Sequence, residues 1–211
     1  MRTPICDMFG IDLPIFAFSH CRDVVAAVSR AGGLGVLGAL AFTTEQLEIE
    51  LNWIDEHVGG KPYGLDVLIP ENMATAGEVG VTYNSLKARV PPAHSAFAHH
   101  LLEHIGVQAD PQTISDDRPQ PFDPDQAMRV LDAAFAHPIK LIANALGVPP
   151  PAMIEMGHQR GVPVAALVGA REHALRQVAA GVDILVVQGT EVGGHCGEVT
   201  TLVLVPEVLK A

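Results

Sequence analysis

The sequence predicts an α/β fold in which helices cover a parallel β-sheet. Of the 211 residues, 48% are hydrophobic and 18% are charged, a composition that favours a chain with a buried core over a disordered one. Six apolar runs of strand length alternate with segments of helical period, and this alternation is typical of parallel strands joined by helices. These observations leave two architectures open, a doubly wound sheet and a (β/α)8 (TIM) barrel.

The first three predicted strands are residues 13–18, 34–40 and 63–69. The helix predicted between the first two, at 23–31, stops at the pair Gly32-Gly33. Thr43 and Gln46 have the spacing of a capping box, which predicts a second helix that runs to His57.

Residues 71–123 interrupt this rhythm. They hold one candidate helix, at 93–105, and a stretch rich in Pro and Asp at 108–123 that is too long for an ordinary connection. We therefore predict an excursion or lid within a single domain of residues 1–211.

The alternation resumes after the excursion. The predicted helices are 124–136, 150–160 and 171–180, and the predicted strands are 139–143, 164–168 and 184–188. A further helix is predicted to begin at Pro206.

Composition also excludes several kinds of partner. Lys plus Arg total 13 against 24 Asp plus Glu, a formal net charge of −11, and an acidic protein repels the nucleic-acid backbone. No apolar run approaches the roughly 18 residues of a membrane span. Cys6, Cys21 and Cys196 cannot all pair, which favours a reducing, cytoplasmic location. We expect a small-molecule substrate, no nucleic acid and no membrane, and the oligomeric state stays open.

Two short motifs have unremarkable interpretations. Residues 33–38 fit G-x-G-x-x-G, but a dinucleotide site needs a strand that leads into a helix, and here a helix precedes a strand. Residues 100–104 fit the zinc pattern H-x-x-E-H, but no third ligand follows on a neighbouring helix. We interpret the first as a helix stop before a packed strand and the second as a solvated helix face, and we expect no metal site.

The most informative motif is the glycine-rich loop at 188–197, which follows the last predicted strand. Its four glycines allow the backbone to approach a planar or phosphorylated ligand closely. Ligands of parallel α/β folds bind at the C-terminal ends of the strands, and a histidine there suits proton transfer near neutral pH. His195 is therefore the candidate catalytic acid or base.

Other predicted strands end in residues that would lie along the same edge. They are the segment 17–20, Asp66, Asn144 and Gly169. Since the C-terminal ends of parallel strands share one edge of the sheet, we expect these residues to converge with His195 on one site.

With these residues the chain resembles the nitronate monooxygenase family, which also includes flavin-dependent enoyl-thioester reductases. The resemblance lies in Leu13-Pro14-Ile15, in Ala31-Gly32-Gly33-Leu34-Gly35, and above all in Gly181-Val182-Asp183 followed by the loop 188–197. It implies an FMN-dependent (β/α)8 barrel, of which this chain supplies about six βα units and lacks the C-terminal part.

The resemblance also implies roles for individual residues. His195 would be the catalytic acid or base beside the flavin. The residues expected to bind FMN are Ala17, Phe18, Ser19, Asp66, Gln188, Gly193 and Gly194. The chain departs from the usual family pattern at Phe18-Ser19-His20, where a Pro-Met pair is common, at Asp66, where Asn is common, and at Val192 and Cys196.

Three functions follow from this resemblance. The first is oxidation of alkyl nitronates with dioxygen through FMN. The second is reduction of an unsaturated acyl thioester of CoA or a carrier protein by NAD(P)H, which the apolar residues around 90–102 favour as the mouth for an acyl chain. The third is a non-catalytic flavin-binding or interaction fragment, because six strands cannot close an eight-stranded barrel and an open edge pairs readily with another chain.

Overall fold

The sheet is parallel throughout, and its strands lie side by side in chain order. The computed structural model describes residues 2–40, 42–69, 83–107, 124–194 and 196–211. Within them, six strands form one sheet in the order β1-β2-β3-β4-β5-β6. The strands are β1 (Phe16–Ser19), β2 (Leu34–Gly38), β3 (Tyr63–Val67), β4 (Leu141–Asn144), β5 (Val164–Val168) and β6 (Ile184–Val187).

This strand order decides between the two architectures that the sequence left open. Crossovers between parallel strands are right-handed, so adding each new strand at the same edge places the crossover helices on one face. A doubly wound sheet needs a point where the order reverses, and the order of these six strands has no reversal. The sheet therefore curls away from its helices, and the predicted TIM-barrel type of fold is confirmed for the six βα units described.

The helices agree closely with the predicted bounds. They are α1 (Pro4–Phe9), α2 (Arg22–Arg30), α3 (Thr44–His57), α4 (Tyr83–Lys87), α5 (Pro92–His104), α6 (Pro124–Ala136), α7 (Pro151–Arg160), α8 (Arg171–Ala180) and α9 (Thr201–Leu209). The capping box that begins α3 is present in both directions, from Gln46 N–H to Thr43 Oγ1 and from Thr43 N–H to Gln46 Oε1.

Three helices correct the expectations from sequence. One is α4, which was not predicted and lies in the segment 71–123, where 93–105 was the one candidate helix. Helix α1 was not predicted, and it forms where its Cys6 and Phe9 side chains are buried in the molecule. The last helix was predicted to begin at Pro206, and this was wrong: α9 begins at Thr201 and contains Pro206 in its interior.

Alternating strand residues build two hydrophobic clusters, one on each face of the sheet. The outer cluster packs α3, α6 and α7 against strand residues such as Leu37, Leu65 and Ile142. The inner cluster lies on the concave face, which we call the lumen, and joins Phe9 of α1 to Leu34 of β2 and its neighbours on β4 and β5. Helix α1 therefore packs into the inner cluster.

The predicted excursion at 71–123 is described only in part, because residues 70–82 and 108–123 lie outside the described residues. Helix α5 has no buried residue. Phe97, Leu101 and Ile105 share one of its faces and are 68%, 48% and 61% exposed. The motif 100–104 lies on this exposed helix, and among the residues that the structure describes no group of three or more His, Cys, Asp or Glu side chains is placed to hold a metal ion. None of the described helices is long and apolar enough to span a bilayer.

Candidate active site

The C-terminal ends of the six strands form one edge of the curled sheet, which we call the rim. Leu34 and Leu141 belong to the inner cluster, so the residues an even number of places further along β2 and β4 also face the lumen. A side chain at Gly64 would contact Leu141, which places Asp66, two residues on, in the lumen as well. Asp66 is therefore a carboxyl group on the concave face, near the rim.

Asp66 lies in a row of small and apolar residues. The register pairs Gly38 with Asp66, Asp66 with Ala143, Ala143 with Ala165, and Ala165 with Ile184. Asp66 is the one polar side chain in this row, and its Oδ1 atom is buried without a hydrogen-bond partner. Burial raises the pKa of the Asp66 carboxyl to about 7. A buried, unpartnered acid in a concave site is a physical sign of a functional position.

The rings of Phe18 and His20 lie against Gly38, which is next to Asp66 at the rim. A Cβ atom on Gly38 would lie 2.6 Å from Phe18 Cζ and 2.7 Å from His20 Nδ1, so any side chain there would displace both rings. The Phe18 and His20 rings meet edge to face with centroids 5.0 Å apart. Phe18 is 55% exposed, so the rim presents an apolar ring close to the buried acid.

His20 is oriented by the backbone of β2. Its Nδ1 lies 3.0 Å from the carbonyl oxygen of Gly38. A carbonyl oxygen only accepts, so this hydrogen bond requires a hydrogen on Nδ1 and leaves Nε2 as the acceptor of the neutral ring. His20 was noted at a strand end in the sequence but was not among the predicted binding residues. The signal that could have singled it out is Gly38, which makes room for its ring.

The predicted FMN-binding residues of β1 face in two directions. Phe18 faces the lumen, whereas Ala17 and Ser19 alternate with it and face the helices. Ser19 Oγ accepts a hydrogen bond from the backbone N–H of Cys21 at 3.0 Å. Ala17 and Ser19 therefore offer a lumen ligand backbone atoms rather than side chains.

Asn144, which was expected at the site, faces away from the lumen and ties two connections together. Its Oδ1 accepts from Ile69 N–H at 2.9 Å and its Nδ2 donates to Ile69 O at 3.0 Å. The carbonyl oxygen of Gly147 accepts from Asn144 Nδ2 at 3.3 Å and from Gln177 Nε2 at 3.0 Å. Asn144 thus holds the segments that follow β3 and β4 in place.

The glycine-rich loop after β6 is held at its two ends. The Thr190 N–H donates to the Val199 carbonyl oxygen at 3.1 Å. The Glu191 carboxylate accepts from Thr201 N–H at 3.0 Å and from Thr201 Oγ1 at 2.8 Å. The Thr201 N–H bond in particular lowers the pKa of the Glu191 carboxyl. A carboxylate at a helix N-terminus is favourable, and it explains why α9 begins at Thr201.

The same loop passes close to the end of β5. A Cβ atom on Gly197 would collide with the Gly169 carbonyl oxygen, and one on Gly169 would lie 3.2 Å from Gly197 Cα. These two glycines allow the loop to lie against the rim. Gln188, at the start of the loop, is half-buried, and its N–H donates to the Val168 carbonyl oxygen at 2.8 Å.

The predicted residues at the tip of the loop are open to solvent. Gly193 and Gly194 are exposed, and a Cβ atom at either would meet nothing within 4 Å. His195 lies outside the described residues, and its neighbours Gly194 and Cys196 are both exposed. The structure thus brings Phe18, His20 and Asp66 together on the rim at β1–β3.

Comparison with known proteins agrees with this architecture. Solved structures of FabK from Thermotoga maritima and of nitroalkane oxidase from Streptomyces ansochromogenes match with TM-scores of 0.67 and 0.68, each at 22% identity. The match covers 100% of this chain and 51% of FabK, and 99% of this chain and 58% of the oxidase. At this identity the two structures show the fold alone.

A relative in Mycobacterium tuberculosis, named "Putative monooxygenase Rv1533", is 51% identical over 213 residues, which cover 100% of this chain and 57% of the relative. The chain spans a little over half the length of the curated relatives it matches. The family model described as nitronate monooxygenase matches residues 3–211, so the chain belongs to the nitronate monooxygenase family, a family of oxidoreductases.

Proposed function

We propose that the chain carries the flavin site of an FMN-dependent oxidoreductase that oxidises alkyl nitronates with dioxygen. The observation that carries the proposal is the half-buried Asp66 carboxyl, whose Oδ1 atom is buried without a hydrogen-bond partner, at the rim of a barrel of this family. Ligands of (β/α)8 barrels bind at this end of the strands.

The residues of the rim fit a flavin. An isoalloxazine ring is flat and largely apolar, with polar atoms along one edge. Phe18 offers an exposed ring, Gly38 and Ala143 leave room above the lumen, and Asp66 offers a polar atom that no described side chain engages. Ala17, Ser19, Gln188, Gly193 and Gly194 would contribute mainly backbone groups.

FMN, when bound, would accept electrons from the substrate and pass them to dioxygen. His195 would take the proton from the carbon of a neutral nitroalkane, or hold an oxygen of the nitronate. The bonds of Glu191 to Thr201 and the close approach of Gly197 to Gly169 hold the loop that carries His195 beside β5 and β6. Phe18 would shield the reacting atoms from water on the opposite side of the rim.

The proposal is tested by adding FMN to the purified chain, removing free FMN by gel filtration, and recording the visible absorption. We expect a yellow protein that consumes oxygen when the nitronate of 2-nitropropane is added. A colourless protein that retains no FMN contradicts the flavin site. A yellow protein that consumes no oxygen with nitronates contradicts the nitronate reaction alone.

The exposed apolar face of α5 favours a second candidate, reduction of an unsaturated acyl thioester at the expense of NAD(P)H. Phe97, Leu101 and Ile105 lie along this face and could cover an acyl chain. This candidate predicts that NADH or NADPH bleaches the flavin without oxygen and that an enoyl-CoA restores the colour. FMN binding with neither reaction would instead support a non-catalytic flavin-binding fragment.

A further inference from the structure

We propose that Asp66 binds the flavin as a neutral carboxylic acid, which takes up a proton from solvent when the flavin enters the lumen and donates its O–H to a ring acceptor. This inference rests on the proposed flavin site and deepens it. It is carried by the position of Asp66 in the lumen, by its unpartnered oxygen and by the residues around it.

The surroundings of Asp66 disfavour a charge. Its neighbours in register are Gly38 on β2 and Ala143 on β4, and Ala165 lies one strand further on. Among the described residues no Lys or Arg forms an ion pair with Asp66, and burial is the one cause of its raised pKa. A carboxylate without a cation or a donor in such a place loses hydration that nothing replaces.

The hydrogen-bonding needs of Asp66 and of a flavin are complementary. Oδ1 of Asp66 has no partner, and an unpaired buried polar atom is costly. The polar edge of an isoalloxazine ring has two carbonyl oxygens and two imine nitrogens but one N–H. A neutral carboxyl group can donate to these acceptors, whereas a carboxylate can only accept.

One titratable side chain lies close to Asp66 on the described part of the rim. Gly38 and Ala143 carry no titratable group, and His20, whose ring lies over Gly38, is the titratable residue of the described rim at β1–β3. The hydrogen bond from His20 Nδ1 to the Gly38 carbonyl oxygen, 3.0 Å long, fixes the orientation of this ring. The variant His20→Gln separates any contribution of His20 from that of Asp66.

The proton balance is simple. Burial raises the pKa of the Asp66 carboxyl to about 7, so the free chain at pH 8 holds mostly a carboxylate. Flavin binding then consumes one proton from solvent, the carboxylate becomes a carboxyl group, and no electron moves. At pH 6 the carboxyl group is already protonated, and binding takes up no proton at this position.

The experiment is calorimetric titration of the full chain with FMN and with riboflavin at pH 8, in buffers of different ionisation enthalpy. We expect the wild type to take up close to one proton per flavin and Asp66→Asn close to none. The wild-type affinity should fall about fivefold between pH 7 and 8 and approach a tenfold loss per pH unit above pH 8, and that of Asp66→Asn should stay level. Riboflavin has no phosphate, so titration of the phosphate is excluded as the cause. Asp132→Asn, which changes an exposed carboxyl on α6, is the matched control.

The outcomes separate this inference from the proposed function. Equal proton uptake by wild type and Asp66→Asn overturns the inference and leaves the flavin site intact. Failure of wild type and variants to bind either flavin contradicts the proposed function, and the inference falls with it. If Asp66→Asn does not fold, infrared difference spectra of the wild type decide the question: at pH 8, flavin binding must produce the band of a protonated carboxyl group, and its absence overturns the inference.

Discussion

At the scale of single residues, Asp66 makes the stability of the chain depend on pH. Its ordinary pKa of 3.8 is raised to about 7 by burial, so between these values the folded chain keeps a proton that the unfolded chain releases. The stabilising contribution is complete below the unfolded pKa and is lost as the pH rises through 7. We therefore expect Asp66→Asn to raise the free energy of unfolding more at pH 8 than at pH 5, measured by urea unfolding.

Asp132→Asn is the control for that comparison, since its exposed carboxyl should give the same small effect at both pH values. An Asp66→Asn effect that is no larger at pH 8 than at pH 5 would show that the carboxyl ionises as easily in the folded chain as in the unfolded one.

His195 is tested by a substitution that preserves its size and polarity but not its ability to exchange a proton. We expect His195→Asn to retain FMN, as judged by absorption, and to lower turnover of a neutral nitroalkane about 100-fold, the effect of a lost acid or base. Cys196→Ser changes the exposed neighbour and should leave turnover within about twofold. Full activity of His195→Asn would remove this residue from the mechanism.

The sequence could not show which strand residues face the lumen. A parallel strand buried on both faces is apolar at every position, so its alternation does not show which side chains face the helices. The family resemblance implied Ala17, Phe18 and Ser19 together, yet Phe18 alone of the three faces the lumen. Asn144 was also expected at the site, and the sequence could not show that its side chain faces away from the lumen. Asp66 was predicted from its position with other residues near strand ends and from the family resemblance, and it faces the lumen because it lies two residues after Gly64.

At the scale of helices and strands, the beginning of α3 provides a quantitative test. Thr43 and Gln46 exchange two hydrogen bonds at this helix N-terminus. We expect Thr43→Ala to lower the free energy of unfolding by about 1 kcal/mol, since it removes an N-cap side chain. Thr200 is the N-cap of α9 but makes no side-chain capping bond, so Thr200→Ala should cost clearly less in the same denaturation experiment. Equal costs would mean that the capping box contributes nothing.

Glu191 ties the loop that carries His195 to Thr201, the first residue of α9. In Glu191→Gln one amide oxygen replaces two carboxylate oxygens, which weakens the bonds to Thr201 N–H and Oγ1. We expect faster hydrogen exchange at Thr201 and weaker FMN binding. Glu198→Gln, in the same loop and exposed, is the matched control and should change neither. Unchanged exchange at Thr201 in Glu191→Gln would contradict this account of the loop.

Local sequence signals predicted most elements and failed where distant contacts decide. The capping box and the glycine pair at 32–33 gave the bounds of α2 and α3 to within one residue. The start of α9 depends on Glu191, ten residues before Thr201, so the proline at 206 was misleading. Helix α1 is six residues long, too short for a periodic pattern, and packing of Cys6 and Phe9 stabilises it instead.

At the scale of the whole molecule, alternation of strands and helices is common to doubly wound sheets and barrels. The residues alone therefore left both open, and the resemblance to a flavoprotein family implied the barrel. The consecutive strand order is the observation that separates the two, because it is a property of the assembled sheet. The same order leaves β1 and β6 as the two edges of the described sheet, and Val186 on β6 and Phe18 on β1 are both exposed there.

The net charge of −11 gives the last prediction. A dianionic phosphate approaching an acidic protein is repelled over a distance set by the Debye length, about 30 Å at 0.01 M salt and about 3 Å at 1 M. If backbone N–H groups rather than Lys or Arg hold the phosphate, salt screens the repulsion between the phosphate and the acidic surface. Salt then has little charge–charge attraction to weaken. We therefore expect FMN to bind the chain more tightly at 0.5 M than at 0.02 M NaCl, with a faster association rate. Riboflavin, which has no phosphate, should bind equally at both salt concentrations, and fluorescence quenching of the two flavins measures the difference. FMN affinity that falls as salt rises, with riboflavin unchanged, would show that a local cation outweighs the acidic surface and that the phosphate is held by Lys or Arg.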